Sequence, residues 1–167
     1  MIKLTDGQLS EIADELDMGM VCYVHKETGE LKSIPEEIID DEEWEEVIDE
    51  IDNDAGNYIE IEKMDSNHSY RVMERFIDTV DDKQFADRLY NAINRSKPFH
   101  NFRYELDYSD EYLKKWYAFK SQAMIEWVRE QLIPPIEDID DMEDIDDMED
   151  TDDTDDNEDS DDIDAKK

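Results

Sequence analysis

Apolar side chains take up helical spacing soon after the start of the chain. Leu9, Ile12, Ala13 and Leu16 stand at i, i+3, i+4 and i+7, and Thr5-Asp6-Gly7-Gln8 before them has capping-box spacing. Gly19 is placed to end this helix. The next run, Met20-Val21-Cys22-Tyr23-Val24-His25, is β-branched and aromatic. Glu27-Thr28-Gly29 then offers a left-handed turn position before Glu30-Leu31-Lys32-Ser33-Ile34, so the pattern predicts a β-hairpin that stops at Pro35. From Glu36 to Ile51, Trp44, Val47, Ile48 and Ile51 return to helical spacing, with acidic residues filling most other positions. Asp52-Asn53-Asp54-Ala55-Gly56 breaks that helix. Tyr58-Ile59-Glu60-Ile61-Glu62 alternates as a half-exposed strand that would make the hairpin a three-stranded antiparallel sheet.

The second half reads as helices. Asp65 or Ser66 can cap one carrying Tyr70, Met73, Ile77 and Val80, and Asp81 or Asp82 can cap another carrying Phe85, Leu89, Ala92 and Ile93. Ser96-Lys97-Pro98 ends the second of these. Phe99, Phe102 and Leu106 suit a short helical turn, and Ser109 can cap the longest helix, with Asp110 and Glu111 favourably placed in its first turn. Tyr112, Trp116, Phe119, Ala123 and Trp127 would form the structural spine of that helix, which Pro134-Pro135 stops. Nine of the sixteen aromatic residues lie between Pro98 and Ile133, so this stretch should supply much of the core.

From Ile136 onward the chain repeats every three residues, as Ile-Glu-Asp, Ile-Asp-Asp and Met-Glu-Asp. A period of three keeps no face of a helix or strand apolar, and neighbouring carboxylates repel, so residues 136–167 should be a disordered polyacidic tail. The fold class is therefore α+β over residues 1–135, a hairpin plus one strand packed by about five helices.

Charge changes the picture, because it is uneven. Residues 1–62 carry a net −18, residues 63–130 a net 0 and residues 131–167 a net −17, together the −35 of the whole chain. Such a field repels nucleic acid and anionic membranes and attracts basic proteins. Cys22 is the single cysteine, which rules out an intramolecular disulfide and fits the cytoplasm. The N-terminal residues lack a signal peptide's apolar core, and no window approaches the roughly 20 apolar residues of a membrane span. A soluble protein is expected, with its oligomeric state open.

Ordered short motifs carry a family resemblance. They are Glu15-Leu16-Asp17-Met18-Gly19-Met20, Glu27-Thr28-Gly29-Glu30, Ser33-Ile34-Pro35, Tyr58-Ile59-Glu60-Ile61, Met64-Asp65-Ser66, and Lys97-Pro98-Phe99 with Phe102, followed by Trp116, Phe119 and Trp127. With these residues the chain resembles a bacterial family of uncharacterised proteins, number 0158, across about residues 3–133. The resemblance implies no activity and no catalytic residues, and the tail beyond Pro135 departs from it.

Candidate chemistry is sparse. Carboxylates are so frequent that pairs at acid/base distances arise by chance. On a strand Cys22 and His25 point to opposite faces and cannot share a proton, so Cys22 reads as a core residue. His68, near Asp65, Ser66 and Ser69, suits a helix start better than a triad. No two histidines or cysteines stand at zinc-ligand spacing, and Gly56 comes one position early for a calcium loop in Asp52–Gly56, which reads instead as a helix-to-strand turn. Neither a metal nor a cofactor is expected.

Two surfaces remain. Glu42, Glu43, Trp44, Glu45 and Glu46 make a negative helical face suited to a basic protein partner. Arg95, Lys97, His100 and Arg103 cluster around Phe99 and Phe102, two expected core residues, and could receive an acidic partner or the tail; nucleic acid is disfavoured by the acidic blocks. A non-enzymatic binding or adaptor module is the leading reading. A nucleic-acid mimic that blocks a DNA- or RNA-binding protein is one alternative, and an enzyme with a site invisible in sequence is another.

Overall fold

The computed structural model describes residues 2–38 and 41–133. Expectations for the polyacidic repeat fall outside that range. Helix α1, Asp6–Asp17, starts at the capping box: Thr5 Oγ1 accepts the Gln8 N–H at 3.3 Å while the Thr5 N–H donates to Gln8 Oε1 at 3.0 Å. Gly19, at φ +87°, turns the chain into strand β1, Met20–His25. Gly29, at φ +71°, sits in the turn to β2, Leu31–Pro35; a Cβ there would also stand 3.0 Å from Leu4 Cδ2. Strand β3, Tyr58–Ile61, pairs with the other edge of β1, so the antiparallel order is β2-β1-β3 and β1 is central. Cys22 and Val24 on one face of β1 are fully buried.

Helix α2, Asp41–Asn53, begins later than the Glu36 start that spacing alone gives. The Glu36 N–H is held by Gly19 O at 3.3 Å, which prolongs the β1–β2 pairing past Pro35 and keeps Glu36 out of a helix. A single 3-10 turn, Ala55–Asn57, connects α2 to β3. The remaining helices are α3 (Ser66–Ile77), α4 (Lys83–Ile93), α5 (Pro98–Leu106) and α6 (Asp110–Leu132). Asp65, Asp82 and Ser109 each accept a backbone N–H as caps of α3, α4 and α6. Pro98 at the first position of α5 lengthens the expected short turn to nine residues.

Two apolar clusters share α6. In one, α1, the sheet and the end of α6 bury Leu9, Ile12, Cys22, Val24, Ile61 and Val128. In the other, α3, α4, α5 and the start of α6 enclose Met73, Phe76, Leu89, Phe102, Leu106 and Trp116. At 23 residues α6 is about 34 Å long, enough to span both. Met64, on the link from β3 to α3, packs against both.

Three core assignments differ from the spacing argument. The buried stripe of α3 is Val72, Met73, Phe76 and Ile77, with Tyr70 half-buried at its edge and Val80 past the helix end. Phe99 is 43% exposed, because Pro98 at the start of α5 sets it on the first turn, outside the cluster that takes Phe102. Trp127 is half-buried: its Nε1–H donates to Glu62 O at 2.7 Å and its ring lies 4.7 Å from that of His68, so it ties α6 to the β3–α3 link. The buried line of α6 is Trp116, Ala123, Met124, Val128 and Leu132.

Candidate functional site

Helix α2 is the acidic element that the sequence pattern proposes. Its 13 residues contain no lysine or arginine, and Glu42, Glu43, Glu45 and Glu46 are all exposed around a half-buried Trp44. Val47 and Ile48 are half-buried too, and Ile51, the one buried residue of the stripe, lies outside both clusters. The helix packs chiefly on β2, where Lys32 bridges Glu50 and, at 3.4 Å, Glu30. Its apolar stripe is thus incompletely covered among the described residues.

The basic residues near Phe99 are not gathered into one patch. Lys97, in a left-handed conformation at φ 59°, and His100 are exposed before and within the first turn of α5. Arg95 lines a shallow recess with Arg88, Asn91, Asn94 and Glu105, its Nε–H donating to Asn91 O at 3.2 Å. Arg103 belongs to a different concavity, a cleft of about 460 Å³ where the two apolar clusters meet.

That cleft has a floor of Val72, Met73, Phe102, Trp116, Ala123 and Met124, all buried. Phe99 stands at its rim with Ser66, Ser69 and Tyr117. Lys63, Arg103 and Lys120 bring three cations to the lining, against one carboxylate, Asp17. Each cation holds an acidic neighbour: Lys63 meets Glu36 at 2.6 Å, Lys120 meets Asp17 at 2.6 Å and Arg103 Nε meets Asp107 at 3.0 Å. Arg103 also donates from Nη1 to the Tyr117 hydroxyl, and its guanidinium lies 5.1 Å over that ring. The hydrogen bond it donates to Tyr117, with the Asp107 charge, pushes the Arg103 pKa up, so the group stays charged and cannot trade protons with a substrate. Positions 63, 103 and 120 are too far apart in sequence for the cleft to announce itself as a basic run; only the packing of α3, α5 and α6 brings them together.

Other candidates resolve into structural roles. Cys22 is fully buried, and burial, followed by the Glu15 charge, pushes its thiol up to about 12. His25 Nδ1 accepts the N–H groups of Glu27 and Thr28 at 3.3 and 3.2 Å, which leaves Nε2–H to donate to Asp54 at 3.1 Å. Asp54 also accepts from Asn57 at 2.7 Å, and these two hydrogen bonds lower its pKa. Helix α2 thus runs on through Asp52 and Asn53, two residues further than the expected break, and the link to β3 is Asp54 with the 3-10 turn Ala55–Asn57, tied to β1 through His25. Asp65 caps α3 through the His68 N–H at 2.8 Å and pairs with His68 Nδ1 at 2.9 Å, contacts that lower its pKa. Among the described residues no three His, Cys, Asp or Glu side chains are grouped to hold a metal ion, and no helix is long and apolar enough to cross a membrane.

Fold and surface together define a small α+β protein: among the described residues, a three-stranded antiparallel sheet and six α-helices, with an acidic helix on one sheet edge and a basic-rimmed cleft between the two apolar clusters. The chain belongs to the uncharacterised protein family UPF0158, whose pattern matches residues 3–152. That match runs past Pro135, so the first part of the acidic repeat follows the family pattern, contrary to its expected departure from it. A relative from Pseudomonas aeruginosa, UPF0158 protein PA5073, is 26% identical over 126 residues, covering 74% of this chain and 79% of its own. No solved structure matches the chain.

Proposed function

We propose that the protein is a non-enzymatic binding module that meets a basic protein surface through α2. The observation that supports this reading is the combination on one helix of exposed Glu42, Glu43, Glu45 and Glu46 with a stripe, Trp44, Val47 and Ile48, that stays half-open. Charged residues around a half-open aromatic suit a protein interface: Trp44 would supply the desolvated anchor, and the glutamates would steer the encounter. Steering over exposed charges is screened beyond roughly 8 Å at physiological ionic strength, so association should slow as salt rises. We further propose a cytoplasmic location, since the chain's one thiol, Cys22, is buried and has no cysteine partner to oxidise with.

The test is affinity purification with mass spectrometry, using the full chain, a variant with Glu42, Glu43, Glu45 and Glu46 all changed to Gln, and Trp44→Ala, each checked for native melting. A partner recovered at low salt should be lost with both variants. Recovery of the same partners by all three proteins would overturn the proposal.

A further inference from the structure

Lys63, Arg103 and Lys120 line a cleft with an apolar floor in a chain whose net charge is −35. From this geometry we infer that the cleft is a binding site for a small amphipathic anion, an apolar chain or ring ending in a carboxylate. The site is separate from α2 and does not depend on the proposed partner.

Size and lining fit that ligand class. Small-molecule sites occupy roughly 300–1,000 Å³ and are mostly apolar with a few placed polar groups; this one holds about 460 Å³. Its floor joins residues of both apolar clusters. Trp116 and Ala123 belong to one and Met124 to the other, while Ser66, Ser69 and Ala123 are too small to fill the junction. An apolar body would cover that floor and the exposed ring of Phe99.

The rim chooses the sign of the head group. Three cations face one carboxylate in the lining, whereas residues 1–62 carry a net −18. The acidic neighbours do not exhaust these donors. Arg103 uses Nε for Asp107 and Nη1 for Tyr117, so a guanidinium with five N–H groups keeps others for a ligand. Among the described residues Lys120 donates to Asp17 Oδ1, which takes one of its three ammonium hydrogens. A ligand carboxylate would join these groups by charge-assisted hydrogen bonds, and screening limits the opposing field of the distant acidic residues. A neutral ligand with the same body gains none of this. A bare anion without the body leaves the floor wet.

The proposal is tested on the full chain by amide NMR with three probes: octanoate, octanol and acetate. Octanoate should shift the amides of residues 99–103 and 116–124 saturably, octanol should bind about tenfold more weakly, and acetate should leave these amides in place. Lys120→Met and Arg103→Met, both at the rim, should each weaken octanoate about tenfold, whereas Lys115→Met, outside the cleft, should not. Ala123→Leu, which fills the floor, should abolish the shifts in a protein that still melts natively. Equal binding of octanol and octanoate, shifts that avoid the cleft, or equal weakening by Lys115→Met would overturn the inference. None of these readouts involves α2, so this result and that of the partner experiment stand apart.

Discussion

Phe76 is the residue around which the helical cluster closes. Its ring stands edge-on to Phe102 at 6.1 Å, Trp116 at 5.2 Å and Phe119 at 5.6 Å, and Phe102 and Trp116 themselves meet at 4.8 Å. Such pairs add to the burial of a side chain only 1% exposed. Phe76→Ala should therefore cost about 3–5 kcal/mol, read by chemical denaturation, because the rigid rings around it cannot collapse into the space. A loss below about 1 kcal/mol would mean the cluster is loosely packed. Cys22 makes a second residue-scale case. Since its thiol is pushed up to about 12 by burial, it should be inert to thiol reagents in the native protein at pH 7 and react once the chain is unfolded in denaturant. Rapid labelling without denaturant would contradict its place in the core. Cys22 could be assigned to the core from sequence because it sits among β-branched and aromatic neighbours. Phe76 could not be found that way: the stripe through Tyr70, Met73, Ile77 and Val80 shares Met73 and Ile77 with the true one but is rotated from it by a fraction of a turn, and only the neighbouring helices decide between them.

At the scale of elements, the caps were the most legible feature, because they depend on side chains two or three residues from the backbone they satisfy. Thr5 with Gln8, Asp65, Asp82 and Ser109 all act where their spacing suggests. Ser109→Ala should cost about 1 kcal/mol in thermal or denaturant unfolding. Asp65 adds a pH dependence. Its folded pKa is lowered, so the stability it contributes is fully present above the unfolded carboxylate value of about 3.9 and is lost as pH falls through the lower folded value. Asp65→Asn keeps a capping oxygen that does not titrate. The variant should be less stable than the parent near pH 7 and lose less stability on going below pH 4, so that the two converge in acid, as followed by melting temperature; parallel losses would show that Asp65 is not the group responsible. Less legible was whatever depends on long-range pairing. The start of α2 is displaced by a hydrogen bond from Glu36 to Gly19, and Phe99 is turned outward by Pro98. The cleft is an extreme case, since Lys63, Arg103 and Lys120 become neighbours only through α6 and the helices packed on it.

Over the whole molecule, charge works against compactness. A net −18 over residues 1–130 penalises their folded state, which holds those charges closer than the unfolded chain does. The ion pairs that α6 makes to distant segments, Lys120 with Asp17 and Arg129 with Asp6 at 3.4 Å, lie at the surface and offset little of it. Two opposing effects then govern acidification. Protonating exposed carboxylates relieves repulsion first, since the sequence pI is about 4.1 and charge falls steadily on the way there. Only below about pH 4 do the hydrogen-bonded Asp54 and Asp65, with their lowered pKa values, begin to lose their contribution. At low ionic strength the melting temperature should accordingly be higher near pH 4.5 than at pH 7. At about 1 M salt, where the screening length shrinks to roughly 3 Å, the difference should vanish and the pH 7 protein should have gained the stability. A melting temperature that falls on mild acidification at low salt would mean that the carboxylates are held by specific groups of the protein, and that the acidic surface has structural work of its own.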